Sequence, residues 1–224
     1  MLVFARAVAR GAPRAFVVGD LPFLSYQVND EEAVRNAGAF IAAGCDAVKL
    51  EGGVRVADRV RAITDAGIAV MGHLGLTPQS LGQQGGYRVQ GKTLAATQRV
   101  LDDALALQEA GAFAILFEAL PPESAAYIRE RLDIICYGIG AGPHLDGQLV
   151  ISHDILGNFV GDIAPKFVSR YANLDQVVET AFRSYADDVR SGQFPSPTHW
   201  YSIDANEAAA LAQFSREPFA RKTA

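Results

Sequence analysis

The sequence has few of the features that mark secreted, membrane-spanning or nucleic-acid-binding proteins. Its 224 residues include only two cysteines, Cys45 and Cys136, and both lie in or beside apolar runs, so we expect buried thiols in a reducing compartment. No stretch approaches the roughly 20 apolar residues that a transmembrane helix requires. The net charge of −5 comes without a basic run, which argues against nucleic acid as a partner. These absences predict a cytoplasmic protein that binds neither nucleic acid nor membrane.

The chain does contain a regular alternation of strand-like and helix-like segments. Half of the residues are hydrophobic, which is enough for the core of one larger domain. The predicted strands cover 15–20, 47–51, 68–71, 112–117, 134–137 and 148–152, and the predicted helices cover 1–10, 30–43, 54–66, 93–110, 124–131, 174–190 and 205–214. Such alternation is typical of an α/β protein with a parallel sheet and right-handed crossovers.

One predicted strand, Ala47–Glu51, ends in charged residues just before two glycines. Side chains alternate along a strand, so Val48 and Leu50 face one way and Lys49 and Glu51 face the other. The apolar pair is expected to pack under helices, and the charged pair to face solvent, a metal or a polar ligand. Taken alone, this strand fits an ion pair at the edge of the core as well as it fits a catalytic pair.

Polar residues also end or follow the other predicted strands. The full set is Asp20, Lys49, Glu51, His73, Glu118 and His153. In a (β/α)8 barrel the active site lies at the carboxyl ends of the strands, whereas an open doubly wound sheet concentrates polar groups at one switch point. Because nearly every strand contributes a polar residue, the sequence favours a closed barrel.

The residue types in this set indicate a particular chemistry. Asp20 suits a hard cation such as Mg²⁺, and Glu118, at the end of an apolar strand, suits a general acid or base. His73 lies between two glycines, where a ligand can approach closely. Each also has a structural interpretation: Asp20 as a turn residue, His73 as a hydrogen-bonded residue of the barrel rim, Glu118 as a solvated rim residue. Together they favour a Mg²⁺-dependent enzyme that forms the enolate of a small oxo-acid, with Lys49 holding the substrate.

The motifs around these residues resemble those of the ketopantoate hydroxymethyltransferase family, in the same order, from about Met1 to about Tyr201. They are Gly19–Phe23, Val48–Gly53, Gly72–Ser80, Gly138–Gly142 with Asp146–Gln148, His153-Asp154 and Pro165–Phe167. The resemblance implies a (β/α)8 TIM barrel of the phosphoenolpyruvate mutase type and a homo-oligomer, usually a decamer.

The family resemblance also implies a reaction and a role for each residue. A hydroxymethyl group would pass from 5,10-methylenetetrahydrofolate to 3-methyl-2-oxobutanoate, giving 2-dehydropantoate for pantothenate and coenzyme A biosynthesis through a Mg²⁺-stabilised enolate. By motif match, Asp20 is a metal ligand and contacts the substrate, and Glu51 acts near the metal, through water. Lys49 and His73 bind the substrate, and Glu118 is the catalytic proton acceptor.

The resemblance further implies two strands ahead of Met1, because the pattern supplies about six of the eight βα units. In the family the second of these strands ends in Gly-Asp-Ser, which supplies the other Mg²⁺ ligand and a substrate contact, and nothing here matches it. We therefore expect an N-terminally truncated barrel domain over 1–201 and a helical, polar C-terminal tail over 202–224. The alternative function is that of a catalytically impaired or non-catalytic homologue with an assembly or binding role.

Overall fold

The computed structural model describes residues 1–158 and 165–214, in two units. The first contains the described residues of Met1–Ile155 and Gly161–Arg170, and the second those of Leu156–Val160 and Tyr171–Ala224. The last ten residues of the predicted tail, 215–224, and residues 159–164, between the predicted strand 148–152 and the predicted helix 174–190, lie outside the described residues. A boundary at residue 201 stays a prediction.

The first unit is built on a parallel sheet that has six strands within the described residues. They are β1 (Val18–Asp20), β2 (Ala47–Glu51), β3 (Ala69–Gly75), β4 (Ala114–Glu118), β5 (Ile135–Ile139) and β6 (Gly147–Gln148). Every neighbouring pair is parallel, and the order β1-β2-β3-β4-β5-β6 follows the sequence without reversal. An unreversed order is typical of a barrel wall, whereas a doubly wound sheet changes direction at its switch point. The predicted parallel α/β architecture is confirmed.

Seven helices of the described residues lie at or near the positions that the sequence predicts, and two short ones are not predicted as helices. In chain order the helices are α1 (Leu2–Gly11), α2 (Asp30–Ala42), α3 (Ala57–Asp65), α4 (Leu81–Gln84), α5 (Leu94–Glu109), α6 (Pro122–Arg129), α7 (Ser152–Leu156), α8 (Leu174–Ser191) and α9 (Ala205–Phe214), of which the two not predicted are α4 and α7. The Asn29 side chain accepts a hydrogen bond from the Glu32 N–H at 2.8 Å, which caps α2, and Thr93 caps α5 in the same way. Within 1–158 and 165–214, none is both long and apolar enough to cross a bilayer.

The alternation of side chains gives the sheet two different faces. The outward face carries Val48, Leu50, Val70, Ile115 and Phe117, which pack in one core with residues of α2, α3, α5 and α6 such as Phe40, Val60, Leu107 and Ile128. A smaller inner cluster contains Met71, Ala114, Leu116 and Ile139. Lys49 and Glu51 therefore face away from the helices, as the pattern of β2 predicts. Cys45 and Cys136 are free, buried thiols.

The largest errors in the predicted element boundaries concern two strands. β3 continues through His73 to Gly75, because its last residues pair in register with both β2 and β4. The segment predicted as a strand over 148–152 keeps only Gln148 in β6. The carbonyl of Ile151 instead accepts the N–H groups of Asp154 and Ile155, which begins α7. His153 consequently lies in a short helix and not at a strand end.

The junction between β3 and β4 requires glycine at position 75. Gly75 has φ +89°, and a Cβ atom there would lie 2.2 Å from the carbonyl oxygen of Glu118. A Gly75→Ala substitution is expected to lower the free energy of unfolding by about 2–4 kcal/mol, because it adds a left-handed backbone penalty to a clash with backbone. Urea denaturation measures the change.

Gly82 provides the matched control, because a Cβ atom there has no neighbour within 4 Å and the residue lies in α4. Gly82→Ala should change the free energy of unfolding by no more than about 1 kcal/mol. Equal destabilisation of the two variants would contradict the close approach of β3 and β4.

Candidate active site

Five of the predicted site residues meet at the carboxyl ends of four neighbouring strands. Asp20 ends β1, Lys49 and Glu51 belong to β2, His73 to β3, and Glu118 ends β4. The parallel register places Asp20 opposite Lys49, and Glu51 opposite His73. Because all five strand positions face the inner side of the sheet, their side chains form one group, which we call the catalytic cluster after the role that the sequence predicts for it.

The catalytic cluster is a row of alternating acids and bases. The Lys49 Nζ donates to Asp20 Oδ2 at 3.0 Å and lies 3.6 Å from Glu51 Oε1. His73 Nδ1 lies 3.4 Å from the same Glu51 oxygen, and His73 Nε2 lies 3.2 Å from Glu118 Oε2. Neither histidine approach has the alignment of a hydrogen bond, as is common for catalytic groups before substrate binds. The imidazole thus separates the two glutamates.

Glu51 is held as a carboxylate at the centre of this row. Burial by itself would raise its pKa, because a charged group loses its hydration. The contact with His73, the Gln79 N–H donated to Oε2 at 2.9 Å and the nearby Lys49 ammonium together outweigh burial, so the pKa of Glu51 lies below its ordinary value. The charge of Glu51 therefore stays available to both Lys49 and His73 at neutral pH.

Tyr26 and Gln79, which have no assigned role in the sequence analysis, hold Glu51 in place through hydrogen bonds. The Tyr26 hydroxyl accepts the Glu51 N–H at 3.1 Å and donates to Gln79 Oε1 at 2.8 Å, and Gln79 Nε2 donates to the Leu21 carbonyl at 2.9 Å. Burial raises the pKa of Tyr26 to about 12, so it remains a neutral hydroxyl. Gln79 lies in the Gly72–Ser80 motif, which is the signal that could have indicated it; Tyr26 lies in a connecting segment without such a signal.

Removing the hydroxyl of Tyr26 should lower the stability of the fold. Tyr26→Phe leaves the buried N–H of Glu51 without this acceptor, so the free energy of unfolding is expected to fall by about 1–3 kcal/mol. Tyr87, whose exposed fraction is 78%, supplies the control: Tyr87→Phe should stay within about 0.5 kcal/mol of the parent chain. Urea denaturation of the three proteins checks this, and a Tyr26→Phe variant as stable as the parent would contradict a structural role for the hydroxyl.

Asp20 is the residue of the cluster best suited to a metal ion. Its Oδ1 atom is buried and has no hydrogen-bond partner among the described residues, and an unsatisfied anionic oxygen is a natural cation ligand. Both oxygens of Glu51 already contact protein groups, so Glu51 fits a metal through an intervening water. Within 1–158 and 165–214 no group of three or more His, Cys, Asp or Glu residues could hold a metal. Mg²⁺ is often bound by one or two carboxylates with water and substrate completing its shell, and Asp20 fits that pattern.

The remaining motifs lie around this site and not in it. His153 is exposed in α7 and is not brought to the catalytic cluster. Gly140 has φ +65°, and a Cβ atom there would lie 2.4 Å from the ring of Phe167. The glycines of 138–142 therefore let a later segment of the first unit pass close to the end of β5.

Comparison with known proteins gives consistent results. A family model described as ketopantoate hydroxymethyltransferase matches residues 1–197. The 3-methyl-2-oxobutanoate hydroxymethyltransferase of Alkaliphilus metalliredigens is 56% identical over 199 residues, covering 88% of this chain and 70% of that protein. The enzymes of the same name from Syntrophobacter fumaroxidans and Geobacter metallireducens are 49% and 50% identical, covering 95% and 90% of this chain and 75% and 76% of their own lengths.

Solved structures show the same fold at much lower identity. Phosphonopyruvate hydrolase superposes with a TM-score of 0.52 at 15% identity, covering 96% of this chain and 74% of that one. A 2,3-dimethylmalate lyase of the PEP mutase/isocitrate lyase superfamily gives 0.51 at 14% identity, covering 96% and 76%. These likenesses concern the fold alone, and they confirm the predicted barrel type.

Proposed function

Because this chain belongs to the ketopantoate hydroxymethyltransferase family, we propose that it transfers a hydroxymethyl group from 5,10-methylenetetrahydrofolate to C3 of 3-methyl-2-oxobutanoate. The product is 2-dehydropantoate, the released donor is tetrahydrofolate, and water supplies the hydroxyl oxygen. A place in pantothenate biosynthesis, a cytoplasmic location and assembly into a homo-oligomer are further parts of the proposal that rest on the family.

The observation that carries the proposal is the pairing of a proton acceptor with a separate charge-holding group. Glu118 lies at one end of the catalytic cluster, with His73 between it and Glu51. Asp20 and Lys49 lie at the other end, 3.0 Å apart. An aldol-type addition needs both parts: a base for the C–H bond and a fixed positive charge for the oxyanion that forms.

Each residue then has a role in forming the new C–C bond. Glu118 takes the proton from C3, and the electron pair of that bond moves toward the 2-oxo oxygen. The Lys49 ammonium attracts the substrate carboxylate and the developing negative charge, while Glu51 keeps Lys49 in place. Water adds to the methylene carbon of the donor, both of its C–N bonds break, and N5 and N10 take the two protons of that water as tetrahydrofolate leaves. The nucleophilic C3 carbon attacks the carbon thus released as formaldehyde, and the new alkoxide takes up the proton that Glu118 removed. A Mg²⁺ ion held by Asp20 would withdraw electrons from the oxo-acid and make the C3 proton more acidic.

The direct test combines the purified 224-residue chain with 3-methyl-2-oxobutanoate, 5,10-methylenetetrahydrofolate and Mg²⁺. We expect 2-dehydropantoate by mass spectrometry, and, with the folate donor omitted, exchange of the C3 proton with deuterium from D₂O. A chain that gives neither product nor exchange overturns the proposal in favour of a non-catalytic homologue.

A further inference from the structure

A cavity of about 210 Å³ lies beside the catalytic cluster, and none of the roles above uses it. It is lined by Phe23, Gln27, Glu51, Arg55, Val56, Arg59, Ser80 and Gln83. Glu51 is the one residue that it shares with the cluster. The cavity thus connects the reaction centre with a wall that contains two arginines and an aromatic ring.

Arg55 presents a positive charge that no described carboxylate neutralises. Its Nη2 donates to Ser80 Oγ at 2.9 Å and its Nη1 to Gln83 Oε1, and both acceptors are neutral. No carboxylate of the described residues forms an ion pair with Arg55, whereas Arg59 is paired with Asp30. A guanidinium that neutral groups hold in place is prepared to bind a carboxylate through its planar fork.

Phe23 gives the same cavity an aromatic surface. It lies in the segment after β1 and lines the cavity, and its exposed fraction is 60%, so much of its side chain is accessible to a ligand. An exposed ring favours a planar apolar group by stacking. The aromatic ring of Phe23, the guanidinium of Arg55 and the amide of Gln27 together suit a ligand that carries an aromatic ring and a carboxylate.

We propose that this cavity binds the benzoyl-glutamate part of the folate donor, with the benzoyl ring against Phe23 and a glutamyl carboxylate on Arg55. This inference rests on the proposed function. The order of groups in the donor fits the cavity: the transferred carbon bridges N5 and N10, N10 is bonded to the benzoyl ring, and the glutamate follows. Glu51 marks the end nearest the reaction centre, and exposed Arg55 marks the outer end.

An Arg55→Gln variant tests the assignment through the donor alone. We expect its KM for 5,10-methylenetetrahydrofolate to rise roughly tenfold, the usual effect of losing a hydrogen bond to a charged group. Its kcat, its KM for the oxo-acid and its donor-free C3 exchange should stay at parent values. With the primary amide of 5,10-methylenetetrahydropteroic acid, which keeps the benzoyl ring but carries no carboxylate, the variant and the parent should have the same KM.

Arg99 is the matched control, because it is exposed, has no carboxylate partner among the described residues and does not line the smaller cavity. It lines a neighbouring cavity of about 480 Å³, which Arg55 also borders, so the comparison separates the two cavities. Arg99→Gln should leave the donor KM unchanged; a rise equal to that of Arg55→Gln would overturn the site. An unchanged donor KM in Arg55→Gln, or an equal rise with the amide donor, would also overturn it. If the parent chain shows neither turnover nor C3 exchange, the proposed function fails. If the parent chain shows both and only the predicted change in donor KM is missing, the donor site alone fails.

Discussion

A Glu118→Gln variant is expected to exchange the C3 proton of 3-methyl-2-oxobutanoate about 100- to 10,000-fold more slowly than the parent chain, because this is the usual contribution of a positioned general base. Glutamine has nearly the same shape as glutamate, so packing at the end of β4 should persist. Its amide is not basic, however, and cannot accept the proton. The substitution therefore separates chemistry from folding.

The exchange is best followed by proton NMR in D₂O with Mg²⁺ and without the folate donor. This arrangement removes the second half of the reaction and reports on C–H cleavage alone. Binding of the oxo-acid, measured by calorimetry, should persist in the variant, because the charges of Asp20 and Lys49 are intact. Loss of binding together with exchange would instead give Glu118 a role in holding the substrate.

Glu130→Gln is the matched control for this experiment. Glu130 is exposed and its carboxylate pairs with Arg131 at 3.5 Å, far from any role in the cluster. Its removal should leave exchange at the parent rate. Unchanged exchange in Glu118→Gln would show that Glu118 is not the base. His73, whose Nε2 lies 3.2 Å from Glu118 Oε2, would then be the next candidate.

The second large effect is expected at Asp20. Asp20→Asn should weaken Mg²⁺-dependent binding of the oxo-acid by more than about 100-fold, since even residues that contact a metal ligand indirectly commonly contribute 10- to 100-fold to affinity. The substitution removes the anionic Oδ1 that is buried and unpartnered among the described residues. It also leaves Lys49 less neutralised, and the additional positive charge opposes a cation nearby.

Calorimetric titration of the oxo-acid, with and without Mg²⁺, measures this loss. Asp58→Asn is the control, because Asp58 is an exposed residue in the first turn of α3 and should affect neither titration. If Asp20→Asn retains metal-dependent binding at the parent affinity, Asp20 is not the ligand. The urea midpoint of Asp20→Asn distinguishes lost binding from lost folding.

Some of the site could be predicted because it depends on short stretches of chain. The alternation of side chains in β2 placed Lys49 and Glu51 on one face. The predicted starts of α2 and α5, residues 30 and 93, lie within one residue of the observed starts, since Asn29 and Thr93 cap these helices through hydrogen bonds within the first turn. Parallel strands bring their carboxyl ends to one edge, so Asp20 and Glu118 were expected near this pair.

Other parts of the site could not be predicted because they depend on partners far away in the sequence. Tyr26 is 25 residues from Glu51, and the Gln79 N–H is 28 residues from the carboxylate that it contacts. The path of the loops decides these pairs, and a local pattern does not encode that path. The extension of β3 through His73 has the same origin, because it requires neighbours on both sides.

By itself, then, the sequence determined the strand order, the face on which the charged residues lie and the family. The tertiary structure decided which atoms of these residues are already engaged: both oxygens of Glu51 have protein contacts, whereas Asp20 Oδ1 has no hydrogen-bond partner among the described residues. It also formed the cavity between Glu51 and Arg55. The physical reason is that residue type and periodicity are local, whereas burial and hydrogen-bond partners are set only when distant segments pack together.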